Sequence, residues 1–155
     1  MVYTTSVKRQ THDRPVRHLP AGVVFSCVGY RVRRLSRVVS GIYDEALGPL
    51  KLKISQFSIL VALDSRGRST AVDLCRLLMM DKSTASRNLQ RMRRRGWIAI
   101  RADNGREQML SLTSAGARVL RTAYPLWRRA QGEATRRLRA DGLKALDTVM
   151  SRIDD

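Results

Sequence analysis

The sequence predicts a mainly helical chain of α+β class, with one β-hairpin set among helices. Three observations carry this. Apolar residues recur at spacings of three and four through most of the 155 residues, the pattern of amphipathic helices. The period changes on either side of Asn104-Gly105, a strong hairpin-turn signal. Two short helical segments lie just before that hairpin, separated by three or four residues, and the second has a Ser/Thr/Arg front end. A helix-turn-helix followed at once by a β-hairpin is a winged helix.

The elements follow in order. Residues 1–20 hold Lys8, Arg9, Arg14 and Arg17 with two prolines and read as a basic flexible arm. From Val23 to Leu47, Phe25, Val28, Val32, Leu35, Val39, Ile42 and Ala46 form one stripe on a single long helix, ended by Gly48-Pro49. The next helix begins at Ile54-Ser55, with Ser55 suited to the N-cap, and stops at Ser65-Arg66-Gly67. Thr70 with Asp73 matches a capping box for a third, short helix, whose inward positions are Ala71, Leu74, Cys75 and Leu78. Asp81 caps a fourth helix from Lys82 to about Arg95, with Ala85, Leu89 and Met92 inward and Gly96 as its stop. Residues 97–101 and 108–112 read as strands. Thr113 caps a further helix that Pro125 should kink, and a last helix starts near Asp141.

The first helix and the last two carry apolar stripes with no partner in the compact middle. Packing them across a two-fold axis buries them, so the expectation is a homodimer. The organisation is then an arm (1–20), an N-terminal dimerisation helix (21–50), a winged helix-turn-helix core (51–112) and C-terminal dimerisation helices (113–155).

Charge narrows the function. Lys and Arg number 30 against 13 Asp and Glu, for a formal net charge of +17. That excess points to a polyanion, most often nucleic acid. Its densest stretch is 82–106, with eight cationic side chains against one acid. The arginines at 128–139 are interspersed with more acids and read as a solvated helix face. The longest apolar run, Gly22–Tyr30, falls well short of the ~20 residues a membrane span needs. No membrane partner and no signal peptide are expected, and the expected location is cytoplasmic. Two Cys and two His, the latter both in the arm, suit neither a zinc site nor a catalytic triad. No enzyme, metal or cofactor is expected.

The stretches 42–63, 73–98 (DLCRLLMMDKSTASRNLQRMRRRGWI) and 110–120 (LSLTSAGARVL) resemble the MarR family of bacterial transcriptional regulators, in the same order of elements over roughly residues 22–153. The resemblance implies a dimeric regulator, usually a repressor, that binds double-stranded DNA and is released by a small-molecule effector or by oxidation. The family wing carries an Asp-x-Arg motif whose Arg enters the minor groove. Here Asn104-Gly105-Arg106 stands in that place, so the role passes to Arg106, while Asp103 lies one position early.

The front of a recognition helix meets base edges in the major groove. Lys82, Ser83, Thr84, Ser86 and Arg87 stand there, with Arg87 the candidate for guanine readout and Lys82 and Ser83 alternatively on phosphate. Arg91 and Arg94 lie further along and suit the phosphate backbone. Cys27, three residues before Tyr30, resembles the peroxide-sensing arrangement of some MarR-like repressors; the plainer reading is a small apolar residue in a dimer core. Cys75 reads as core, and Tyr124, Trp127 and Met79-Met80 as packing more than as pocket. The competing function is a non-sequence-specific basic DNA- or RNA-binding protein. With aromatics at 5% and Trp97 alone in the basic cluster, stacking platforms for single strands are scarce.

Overall fold

A computed structural model describes residues 22–103 and 107–153, apart from the side chains of Asp103 and Glu107. The chain divides into two compact units, Met1–Arg34 and Leu35–Asp155. Among the described residues no single helix is long and apolar enough to cross a membrane.

The described part of the first unit is helical but broken. A short α1, Gly22–Ser26, is followed by Cys27 outside regular helix and then by α2, Val28–Leu47. The expectation of one uninterrupted helix is therefore corrected. At the break the Arg31 guanidinium donates to the Phe25 carbonyl (3.0 Å), the group a continuous helix would give to the Gly29 N–H. Gly29, two residues after Cys27, also lowers helix propensity.

In the second unit, α2 ends in a 3-10 turn, Gly48–Leu50, and α3 follows at Ile54–Arg66. Its cap is not Ser55. Lys53 is the N-cap residue, and Gln56 reaches back to accept from the Lys53 N–H at 3.2 Å. The Asp44 carboxylate accepts from the Ile54 N–H at 2.8 Å. Ser55 instead accepts from the buried Asn88 amide at 3.1 Å. α3 is the heart of the core: Phe57, Ile59, Leu60, Ala62 and Leu63 are all buried, with Leu52, Leu74, Met92 and Leu110 around them.

After Gly67 comes β1, Arg68–Thr70, a strand the sequence did not announce because Arg-Ser-Thr has no apolar alternation. It pairs with β3 (Glu107–Leu112), which also pairs with β2 (Ile98–Asp103), giving an antiparallel sheet in the order β1-β3-β2. Ser69 and Ile100 both stand opposite Leu110, which is buried. The strands meet near the expected turn, whose tip at 104–106 lies outside the described residues.

Between β1 and β2 run α4, Ala71–Leu77, and α5, Lys82–Arg94. α6, Ser114–Ile153, closes the chain. Its backbone is non-helical at Arg139 (φ 59°, ψ 169°), two residues before the expected start of a last helix near Asp141, while Pro125 sits within the helix. Thr113 is the expected cap, accepting from the Gly116 N–H at 3.0 Å and donating to the Gly96 carbonyl at 2.6 Å. Gly116 is needed for close approach: a Cβ there would lie 2.1 Å from the Trp97 carbonyl oxygen.

Candidate nucleic-acid interface

The helix-turn-helix is built from α4, a four-residue turn and α5. Thr70 caps α4 by accepting from the Asp73 N–H at 3.1 Å. α4 ends in a Schellman motif: Met80 N–H bonds the Cys75 carbonyl (3.0 Å) and Met79 N–H that of Arg76 (3.4 Å). Met79 takes the left-handed conformation (φ 50°) that glycine usually supplies there, and it is 89% exposed. α5 ends in the same motif, with Trp97 N–H on the Met92 carbonyl (3.0 Å) and Gly96 N–H on that of Arg93 (2.9 Å). Here the left-handed residue is Gly96, φ 68°.

α5 is capped by Asp81, whose carboxylate accepts from the Thr84 N–H at 2.8 Å and from the Ser83 hydroxyl at 2.6 Å. The Ser83 and Thr84 hydrogen bonds hold this carboxyl far below the usual carboxylate range, so it remains ionised. Its charge sits at the positive end of the helix dipole.

The inward stripe of α5 is as expected, with Ala85, Leu89 and Met92 buried. Asn88 joins them, buried and satisfied by Ser55. Its spacing, three residues after Ala85 and four before Met92, puts it at the edge of that stripe and was the available signal. Outward, Lys82, Ser83, Ser86, Arg87, Arg91 and Arg94 are exposed and Thr84 is half-buried. Ser83, Arg87, Arg91 and Arg94 follow one side of the helix at spacings of four, four and three. Lys82, Ser86, Gln90 and Arg93 follow the other side and form one wall of a cleft of about 950 Å³ between α5, α4 and the hairpin. Arg106, the wing candidate, lies outside the described residues.

Arg95 has a different task. Its guanidinium lies 4.7 Å from the Trp97 ring centroid and donates to the Lys51 carbonyl at 2.6 Å. It fastens the end of α5 to the turn before α3. Cys75 corrects a further expectation: it is half-buried and lines the cleft, because α4 is short and buries only Leu74 fully. Ala71 is exposed for the same reason.

Of the two residues named for sensing, Cys27 is exposed and Tyr30 half-buried. The N–H groups of Tyr30 and Gly29 draw the Cys27 thiol below its ordinary 9.0, and Arg33 adds to this. The Tyr30 ring stands edge-on to Phe25 at 5.8 Å. Elsewhere, Trp127 stacks between Phe57 and Tyr124, at 5.8 Å from each. These aromatics, with Val61, Leu77 and Leu78, line an apolar groove of about 450 Å³. Among the described residues no group of three His, Cys, Asp or Glu is placed to hold a metal ion.

Similarity to known proteins agrees with this layout. The profile of the MarR family matches residues 50–107. The multiple antibiotic resistance protein MarR of Escherichia coli is 24% identical over 130 residues, covering 81% of this chain and 90% of that one. A probable transcriptional regulator from Pseudomonas aeruginosa superposes with a TM-score of 0.73 at 25% identity, over 84% of this chain and 98% of that one. A cysteine-to-serine mutant of Escherichia coli MarR complexed with operator DNA gives 0.74 at 21% identity, over 87% and 99% of the two chains.

Proposed function

Since this chain belongs to the MarR family of winged-helix, DNA-binding transcriptional regulators, we propose that it acts as a homodimeric repressor on a pseudo-palindromic operator. One observation carries the reading. α5 is firmly capped at both ends and inserted by only four buried side chains, so its remaining surface, cationic and hydroxyl-bearing, is free for a major groove.

Roles follow from position. Arg87 reads a guanine, while Lys82, Thr84 and Ser86 share base and phosphate contacts at the front of the helix. Arg91 and Arg94 hold phosphates and set register. Arg106 at the wing tip enters the minor groove, where an arginine suits a narrow electronegative channel. Two protomers place two α5 helices about one helical turn apart.

The dimer is supported by what the single chain leaves uncovered. On α1 and α2, Phe25, Val28 and Val32 are 62%, 72% and 59% exposed, and on α6 Met150 and Ile153 are 61% and 76% exposed. Terminal-helix residues from two chains would cover such side chains. Release by a small effector is supported by the two concavities, above all the aromatic groove at Trp127. Release by oxidation is supported by the exposed Cys27 thiol.

A second reading, sequence-independent binding of DNA or RNA, is favoured by the net charge of +17. Selection of bound duplexes from a random pool, then titration of the recovered site against random DNA at fixed salt, decides between them. A specific regulator prefers its site by about three orders of magnitude or more. Equal affinities would overturn the proposal. Both affinities should fall steeply with salt as arginines release counterions.

A further inference from the structure

The first turn of α5 contains a relay of hydrogen bonds running from the cap to the candidate base-reading arginine. Asp81 Oδ1 accepts from Ser83 Oγ at 2.6 Å. With its proton committed to Asp81, Ser83 Oγ keeps its lone pairs for acceptance, and Arg87 Nη2 donates to it at 3.3 Å. Arg87 Nε donates to the Ser83 carbonyl at 3.2 Å. We propose that Asp81 and Ser83 are positioning residues for Arg87, fixing its guanidinium for base readout before DNA arrives. This rests on the assignment of guanine readout to Arg87.

The donor inventory gives the argument its force. A guanidinium has five N–H donors in a rigid planar fork. Here the edge formed by Nε and one Nη2 hydrogen is spent on Ser83. The terminal edge, Nη1 with the second Nη2 hydrogen, is left over, and two parallel donors of that kind match guanine O6 and N7. Held by one edge, the side chain presents the other from the first turn of the helix, the part that meets bases. An arginine without the clamp would have to give up its rotamer freedom on binding. Arg91 and Arg94 have no such hold among the described hydrogen bonds.

The test uses the full chain and the duplex recovered by selection, with each base position varied singly. Arg87→Ala should reduce the preference for guanine at one position by about tenfold or more. Ser83→Ala should reduce the preference at that same position by a smaller factor, with melting temperature and the slope of affinity against salt unchanged. Ser83→Thr, which keeps the hydroxyl, should retain the preference. Asp81→Asn, which keeps an acceptor for the Thr84 N–H and so the cap, should fall between Ser83→Ala and the unmodified chain. The decisive measurement is the double variant: on the Arg87→Ala background, Ser83→Ala should cost nothing further. A loss that persists on that background, or that falls at another base position, means Ser83 touches DNA itself and overturns the proposal. So does a uniform loss across sequences accompanied by a lower melting temperature, which is helix capping alone. If Arg87→Ala leaves every base preference intact, the readout assignment beneath the proposal falls first, and that result is distinct from both.

Discussion

α3 and α2 both carry apolar side chains at helical spacing, α3 on most of its surface and α2 on one stripe, and they have opposite fates. In 13 residues α3 buries Phe57, Ile59, Leu60, Ala62 and Leu63 together with Gln56. In 20 residues α2 buries Leu47 alone. A repeat of apolar side chains at three and four therefore says that a face will be covered, not which chain covers it. α3 is covered by its own chain, through β3, α5 and α6. On the reading proposed above, α2 waits for a second copy.

The comparison is open to measurement. Leu60→Ala, at a fully buried site, should destabilise the fold by about 2–5 kcal/mol in denaturant titration. Val32→Ala, on the exposed stripe of α2, should change the stability of dilute monomer by no more than about 0.5 kcal/mol. Equal effects would erase the contrast. Next in size is Val28→Glu with Val32→Glu. Sedimentation equilibrium should show the dimer dissociation constant rising by about two orders of magnitude, since four carboxylates per dimer replace apolar surface. An unchanged constant would place the interface elsewhere.

A smaller effect sharpens the contrast between the two helix ends of the helix-turn-helix. Met79→Gly should stabilise by about 0.5 kcal/mol, because relief of the left-handed backbone slightly exceeds the entropy glycine adds to the unfolded chain. The smallest effect is chemical. At pH 8, iodoacetamide should modify Cys27 a few times faster than half-buried Cys75, as read by peptide mass mapping, because the Tyr30 and Gly29 N–H groups favour the Cys27 thiolate. Equal rates would remove the chemical basis for a sensing role.

Much of this molecule was legible in its sequence. Thr70, Asp81 and Thr113 cap the helices they were expected to cap, because a Ser, Thr or Asp oxygen before an apolar repeat has one obvious backbone donor to satisfy. The hairpin followed from Asn104-Gly105 and the alternation beside it. The failures share a cause: a distant group won the local contest. Ser55 was a good cap by composition, but Asn88, 33 residues away, claimed its hydroxyl and left the cap to Lys53 with Gln56. β1 exists because β3 pairs with it, not because Arg-Ser-Thr prefers extension. The break at Cys27 needed the Arg31 side chain to be seen reaching back to Phe25. At the interface, the type and position of each α5 side chain could be read from spacing. The clamp on Arg87 could not, since it depends on a rotamer.

The seam between Gly116 and Trp97 has a mechanical consequence. A missing side chain lets the start of α6 rest directly on the backbone that leaves α5, and the Thr113 hydroxyl spans the same joint to Gly96. There is no compliant layer of side chains between them. A twist applied to α6 is thus delivered to the far end of α5 as torque, with little slack to absorb it.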